Sequence, residues 1–588
     1  MALLLLSALA RGEEILPLGQ NVRAIVDMVP SGCRYGGYGF ASVLLQNLDA
    51  SPHEIGLDLA SSYGAPPFLV TKKVPLAAGE QVTLFLPLYL GDGARNLRFA
   101  VDGNSIGGRG AYCDTSPRGG MSVLNVTEDP TSFRNWYEEL RLVVPPSGGS
   151  RSPATGLYYG SSGSEVVGPR APSQLPDRWQ LLSGYDLVLI DGRAKGLDAE
   201  RQRHLVGHLA AGGTTFLLFP DALPPGPLRA LAAGSPRVRS GLHAFGRWAS
   251  FDGSTRLESL PEPERLRLQW ALRTRGGLAA PAEPVSGYAP PSMLHALQIP
   301  GLGEVPVRGF FLSLTLFALL VGPVNYIVLK RRRRLMWLLV TVPLSGLIFT
   351  GALLTYGVFR EGFGIQGVQR SLTVLDQRSH EAVSCTTRTL FAGLSPSSLA
   401  PGAGTYLWCL DFLPGEWRAD QPPHRLEIDM DAGGRIDGSI LPSRTMTTLV
   451  TVTQSAARER ARFRRRGDAI EALPAPQFED EGQVLLRDFD GSWWEGRAGG
   501  PLRAASGPGR TRDLILRRFF DFELLERKGL RLPSEGEVRA WADDLLQPGS
   551  YLAAARAAAA AEEFGLAIDY REQAHVLVGL LAEEDFVE

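Results

Sequence analysis

Residues 311–354 read FLSLTLFALLVGPVNYIVLKRRRRLMWLLVTVPLSGLIFTGALL, two long apolar runs separated by Lys330, Arg331, Arg332, Arg333 and Arg334. Gly309–Leu329 holds no charged residue, and Leu335–Phe359 repeats the pattern. At about 1.5 Å of helical rise per residue, either run crosses a hydrocarbon core of about 30 Å. A soluble core helix is rarely apolar on every side for so long. The expectation is a transmembrane hairpin, with spans at 309–329 and 335–359. The basic turn 330–334 should stay in the cytoplasm, because Lys and Arg are retained on that side. Tyr326 and Trp337 stand near that boundary, where amphipathic rings prefer to lie. Both large flanks are then extracytoplasmic, and the lipid bilayer is a partner.

The amino-terminal MALLLLSALARGEE agrees with export. Its apolar run, Ala2–Ala10, is too short to span, and Ala8-Leu9-Ala10 fits the small-x-small cleavage pattern. Residues 1–10 are expected to be a truncated signal peptide; the alternative is a buried first strand. Inside the first span, Pro323 predicts a kink. Asn325 is placed to hydrogen-bond either to the second span or to a partner's helix.

The bulk composition fits several packed domains in 588 residues, with 44% hydrophobic and 21% charged residues. A net charge of −2 gives no reason to expect a nucleic-acid partner. There are four cysteines, Cys33 and Cys113 before the hairpin and Cys385 and Cys409 after it. Each flank could close one disulfide in an oxidising compartment; the alternative is unpaired buried thiols. No cysteine spacing fits a zinc site.

Residues 20–117 show short alternating runs such as FASVLLQNLD, HEIGLDLASS and QVTLFLPLYL between turn residues, which predicts a β-sandwich. Residues 119–300 change period. MSVLNVTED, a strand near GSEVVG, YDLVLIDG and TTFLLFPD read as strands. PTSFRNWYEELR reads as a helix, as does LDAERQRHLVGHLAAGG, with Asp198 as N-cap and Gly212 past its end. Leu187–Ile190 is apolar throughout, as expected of a strand covered on both faces of a parallel sheet. A doubly wound α/β unit follows. Residues 364–501 alternate again and predict a second β-rich domain, including a hairpin turning at Asp490-Gly491. The tail, 510–588, mixes helices such as SEGEVRAWADDLL with the alanine-rich SYLAAARAAAAAEEFG, and HVLVGLL reads as a last buried strand.

LPDRWQLLSGYDLVLIDG followed by LVGHLAAGGTTFLLFP resembles the flavodoxin-like domain of class I glutamine amidotransferase-like proteins, especially extracytoplasmic versions in bacterial membrane proteins. IPGLGEVPVRGFFLSLTLFALLVGPVNYIVLKRRRR looks like the anchor of bacterial envelope proteins that combine such a domain with β modules. True amidotransferases use a cysteine nucleophile, and this chain has no cysteine between Cys113 and Cys385. The resemblance therefore implies no inherited activity. Related non-catalytic domains accompany ABC transporters of the gliding-motility type, so it implies an accessory role beside transporter subunits, in the inner membrane.

Candidate chemistry is sparse. Asp191 closes the central strand at its carboxyl end, where α/β sheets hold ligands. Gly192 would allow close approach, and Asp221 follows the next strand, so these three mark a possible ligand crevice. Asp186 at the other end reads as a cap or turn residue. His204 and His208 share one helix face at metal-binding spacing, but no glutamate accompanies them, and a solvated helix edge is expected. Asp429, Asp431 and Asp437 loosely imitate a calcium loop whose twelfth position is Ile440, so a turn is expected. Arg458, Arg460, Arg462 and Arg464, continuing into Arg465 and Arg466, form a cationic stripe suited to anionic lipid or polysaccharide, or to a solvated sheet edge. No catalytic constellation, metal site or cofactor motif is present, and GxSxG, GxxxxGK[ST], HExxH and CxxC are all missing. The expected function is a non-enzymatic scaffold or accessory subunit of an envelope complex. The alternative is an exported sensor or hydrolase using the crevice at Asp191.

Overall fold

The computed structural model describes residues 14–19, 21–28, 38–61, 68–89, 93–113, 123–129, 166–185, 187–234, 237–273, 299–300, 302, 307–402, 404–409, 426–429, 434–438, 440–467, 469–518, 543–557 and 564–587. The expected signal segment, Cys33, Asp186, Asp431 and the helix expected over PTSFRNWYEELR lie outside the described residues, as does most of SEGEVRAWADDLL.

Alternating side chains build the first unit. Its strands are β1 (Glu14–Gly19), β2 (Val22–Met28), β3 (Tyr38–Asn47), β4 (His53–Ser61), β5 (Phe68–Leu76), β6 (Gln81–Tyr89), β7 (Gly93–Val101) and β8 (Asn104–Cys113). One antiparallel sheet runs β1-β2-β3-β6; the other contains β5-β4-β7-β8. Ala41, Val43 and Leu45 from the first share a core with Ile55, Leu57, Leu59, Leu97 and Phe99 from the second. A strand puts successive side chains on opposite faces, so this period-2 pattern becomes a two-sheet sandwich.

The next unit contains β9 (Val123–Val126), β10 (Val166–Arg170), β11 (Leu187–Asp191), α1 (Ala199–Ala210), β12 (Thr214–Leu218), α2 (Pro227–Ala232), β13 (Val238–His243), β14 (Gly246–Phe251) and α3 (Glu262–Arg273). Its sheet is ordered β10-β9-β11-β12-β14-β13, with the first five strands parallel and β13 antiparallel at the edge. All five residues of β11 and of β12 are buried. Val188 and Ile190 point into the core shared with the sandwich, whereas Leu187 and Leu189 join the side covered by Leu268, Ala271 and Leu272 of α3. The expected helix start is present, since the Asp198 carboxylate accepts the Arg201 amide at 2.9 Å.

The two apolar runs are helical. The first comprises α4 (Val307–Leu319), a π-helical turn (Leu320–Val324) and α5 (Asn325–Arg331); the second is α6 (Leu338–Glu361). Pro323 lies inside the π turn, where its missing N–H is absorbed by the wider hydrogen-bond spacing. The helices pair through Asn325 Nδ2, which donates to Thr341 Oγ1 at 2.9 Å, and through Phe317 stacked on Phe349 at 4.3 Å. Gly309–Arg331 and Leu335–Tyr356 are long and apolar enough to cross a membrane, and the apolar window of neither is buried.

After the hairpin come β15 (Ile365–Asp376), β16 (Glu381–Ala392), β17 (Ser398–Leu399), β18 (Thr405–Cys409), β19 (Leu426–Asp429), β20 (Arg435–Asp437), β21 (Met446–Ala456), β22 (Phe463–Arg466), β23 (Ala469–Ala472), β24 (Gln483–Arg487), β25 (Trp493–Arg497), β26 (Pro501–Ala505), α7 (Gly509–Leu516), β27 (Ser550–Ala555), β28 (Ile568–Leu580) and β29 (Phe586–Val587). Twelve strands form one sheet, β18-β21-β16-β15-β28-β27-β24-β25-β26-β23-β22-β29. The tail strands β27 and β28 sit between β15 and β24, so 364–501 and 510–588 share a sheet instead of forming separate regions. Ser550–Ala555, all buried, is a strand despite alanine's helix preference, because the slot between two strands decides the matter. The turn at Asp490-Gly491 connects β24 to β25 as expected, with Gly491 at φ +87°.

The flanks are joined. β19 pairs parallel with β5, Leu426 against Phe68 and Glu427 against Leu69, so the second sandwich sheet continues into β20 and β17. Tyr38 Oη donates to the Leu407 carbonyl at 3.1 Å, and its ring meets Tyr406 edge-on. Gln454 Nε2 donates to the Gly207 carbonyl at 2.5 Å, and Arg247 pairs with Asp544 at 2.9 Å. The molecule is thus a multidomain, sheet-rich body with an exposed apolar helix pair.

Two expectations need correction here. Cys385 is a buried free thiol. Its strand is separated from that of Cys409 by β21, where Cys385 faces Val452 and Cys409 faces Leu449. Two strand spacings of about 4.8 Å exceed disulfide reach, so no Cys385–Cys409 bridge forms. Cys113 ends β8 opposite Gly93. His208 is buried, not a solvated helix edge. Its ring lies against Gly213, where an added Cβ would meet Nε2 at 2.2 Å.

Candidate functional site

The carboxyl ends of the parallel strands are where main-chain groups and strand-end side chains converge. Asp191 ends β11 nearly buried. Its carboxylate accepts from the Arg193 amide and Nε, each at 3.0 Å, and from Arg193 Nη2 at 2.8 Å. The Asp191 carboxylate, accepting these bonds, raises the Arg193 pKa above its usual value. The guanidinium also lies 3.9 Å from the centre of the Phe219 ring. Phe219 stands in the left-handed region at φ +53°, a costly conformation for a bulky residue. Two glycines make room for it. A Cβ on Gly192 would fall 2.3 Å from the Phe219 carbonyl oxygen, and one on Gly253 would fall 2.0 Å from the Phe219 ring.

The predicted trio is therefore only partly assembled. Asp191 and Gly192 meet Phe219 of the next strand end, while Asp221 turns aside and accepts the Gly234 amide at 3.3 Å. Gly192 admits the chain's own backbone instead of a ligand. Asp191 is held by Arg193 in a bidentate ion pair that occupies both carboxylate oxygens. Among the described residues no group of three His, Cys, Asp or Glu side chains could hold a metal ion. The acidic turn expected at Asp429–Asp437 is a strand reversal, with Asp429 opposite Arg435 and Arg435 Nε bonded to Asp437 at 2.9 Å.

The arginine stripe is divided by ion pairing. Arg460 bonds Asp585 and Glu584, Arg465 pairs with Asp488, and Arg464 approaches Glu471 at 3.7 Å. Arg458, Arg462 and Arg466 remain exposed. His204 is half-buried, and its pKa is lowered, first by burial.

One arrangement was not anticipated. Ser371, Thr373, Ser384, Thr386, Arg388, Thr451, Thr453 and His575 occupy one face of the twelve-stranded sheet, all buried. Ser371 Oγ lies 2.5 Å from His575 Nδ1, Thr373 and Ser384 share a bond of 2.6 Å, and Arg388 Nη1 donates to Thr451 at 2.9 Å. Arg388 also donates to Tyr570 Oη at 3.2 Å and faces the Phe564 ring at 4.8 Å. Burial holds His575 neutral, lowering its pKa to about 4. The serine–histidine contact has the geometry of a nucleophile and base. Ser371 is completely enclosed, however, and the pair serves to satisfy buried polar groups. Its signal was the period-2 Ser/Thr spacing in these strands, a pattern that ordinarily marks a solvated face.

No family model and no curated protein matches the chain. Among solved structures, Pseudomonas fluorescens alkylpurine DNA glycosylase AlkC aligns at 16% identity over 18% of this chain and 33% of that one, with a TM-score of 0.14. A β-glucosidase from Listeria innocua aligns at 14% over 17% and 16%, TM-score 0.13. Escherichia coli alpha-2-macroglobulin, from domain MG7 to the C-terminus, aligns at 11% over 83% and 99%, TM-score 0.13. Likeness this slight carries no argument about activity.

Proposed function

We propose that the chain is a membrane-anchored, non-enzymatic scaffold or accessory subunit of a bacterial cell-envelope complex, one that includes ABC-transporter subunits. The observation that carries this reading is the hairpin's setting. Two unburied apolar helices project from a body whose parts before and after them pair strand to strand at β5 and β19. Strands that hydrogen-bond cannot lie on opposite sides of a bilayer, which supports an even number of crossings. The five cations between the helices support a cytoplasmic turn and extracytoplasmic flanks in the inner membrane.

The strand order β10-β9-β11-β12-β14 corresponds to the 2-1-3-4-5 order of flavodoxin-like sheets, in keeping with a degenerate amidotransferase-like unit. That unit contains no cysteine, and its strand-end carboxylate is engaged by Arg193. Both points favour a structural role over the sensor or hydrolase alternative. The test is co-purification of the full chain from mild detergent, followed by mass spectrometry. Stoichiometric membrane subunits are expected; a protein that runs alone from its native membrane would overturn the proposal.

A further inference from the structure

We infer that the hairpin-proximal end of the twelve-stranded sheet is itself a membrane-docking surface. Its occupant is the lipid headgroup layer, and Phe363, Leu394 and Met446 are its apolar contacts. The inference rests on the hairpin being membrane-spanning and adds that the body lies down on the bilayer instead of swinging above it.

Both ends of the hairpin root in this end of the sheet. Before α4, Ile299 and Leu302 pack with Val368 of β15 and Phe391 of β16. After α6, only three residues, Gly362 to Gly364, separate the helix from β15. The Gly393 amide donates to the Gly364 carbonyl at 2.9 Å, and a Cβ on Gly393 would fall 2.7 Å from Phe363 Cα, so the two turns touch. The loop before β21 joins them. Ser443 Oγ donates to the Gly393 carbonyl and the Arg444 amide to the Ala392 carbonyl, each at 2.7 Å, and Met446 pairs with Phe391.

This set of turns presents Phe363 at 49% exposure, Leu394 at 61% and Met446 at 48%, with Arg444 exposed beside them. Such a patch is poorly suited to water, and its composition suits an interface that is apolar below and anionic above. Depth agrees. The 24 residues of α6 extend about 36 Å at 1.5 Å each, roughly 6 Å more than the hydrocarbon core. Phe363, two residues beyond, then lies at the level of the headgroups, and its neighbouring turns lie there with it.

The test uses the full chain in lipid vesicles, with a genetically encoded environment-sensitive fluorophore in place of Leu394 or, independently, Met446. Controls replace Leu347 in α6 and Leu48 on the sandwich. Positions 394 and 446 are expected to show blue-shifted emission, quenched by nitroxides attached near the lipid headgroup and shielded from aqueous iodide. Position 347 should respond to nitroxides deep in the acyl chains, and position 48 to iodide. If 394 and 446 behave like 48 while 347 stays deep, the docking surface is refuted and the hairpin stands. If 347 is itself quenched by iodide, the membrane-spanning reading fails.

Discussion

Acidification from pH 7 to pH 5 should loosen the α/β unit through one side chain. His208 is buried between α1 and Gly213, its Nε2 has no hydrogen-bond partner among the described residues, and desolvation lowers its pKa from 6.5 to about 4. The folded state therefore keeps the ring neutral, whereas the unfolded chain takes up a proton once the pH falls below 6.5. Stability present above that value is lost as the pH approaches about 4. Each unit inside this window is worth up to about 1.4 kcal/mol, so reaching pH 5 costs about 2 kcal/mol, a factor of about 30 in the opening equilibrium. Hydrogen exchange of the Leu187–Asp191 strand, measured for the parental chain and for His208→Leu in the same detergent, isolates the effect. Comparison at each pH cancels the chemistry of exchange. It also cancels His243, which burial lowers too and which both proteins contain. The parental strand should lose protection relative to His208→Leu between pH 7 and pH 5. Parallel pH profiles for the two proteins would refute the assignment of His208 as a buried neutral base.

Gly246→Ala should destabilise the same unit by about 3 kcal/mol or more, read as a lowered thermal midpoint. The new Cβ would fall 1.8 Å from the Leu209 carbonyl oxygen and 2.5 Å from that of Gly213, both rigid backbone atoms. Cys385, buried with its thiol pushed up to about 12, should resist maleimide at pH 8 in the native protein and react after denaturation, as followed by peptide mass spectrometry. Tyr38→Phe removes a buried hydrogen bond to the Leu407 carbonyl and should cost about 1 kcal/mol, seen as faster exchange where the sandwich meets β18.

Much of the architecture was legible because local pattern and global fold agree. Asp198 caps α1, Leu187–Ile190 is buried on both faces, and Asp490-Gly491 turns where a turn was expected. Legibility ended where partners come from far along the chain. Nothing in Leu426-Glu427 or Phe68-Leu69 announces that these strands pair across the hairpin. Nothing in SYLAAA shows that a slot between β24 and β28 awaits it. Side-chain roles failed for the same reason. The placement of His208 on the apolar stripe's flank hid its burial beneath Gly213, and Asp191 could not be seen to face the Arg193 two residues away. Polar alternation at Ser371 and Thr373 resembles a wet strand until the opposing Ser384, Thr386 and His575 are in position.

The most direct test of the account is the side of the membrane on which the basic turn lies. A small tag inserted after Arg332, with parallel tags at Leu48 and in the Asp490-Gly491 turn, is probed in spheroplasts by a reagent that cannot cross the inner membrane. The account predicts labelling at both flanks and none at Arg332 until the membrane is permeabilised. Labelling at Arg332 in intact spheroplasts, or protection of either flank, would contradict it.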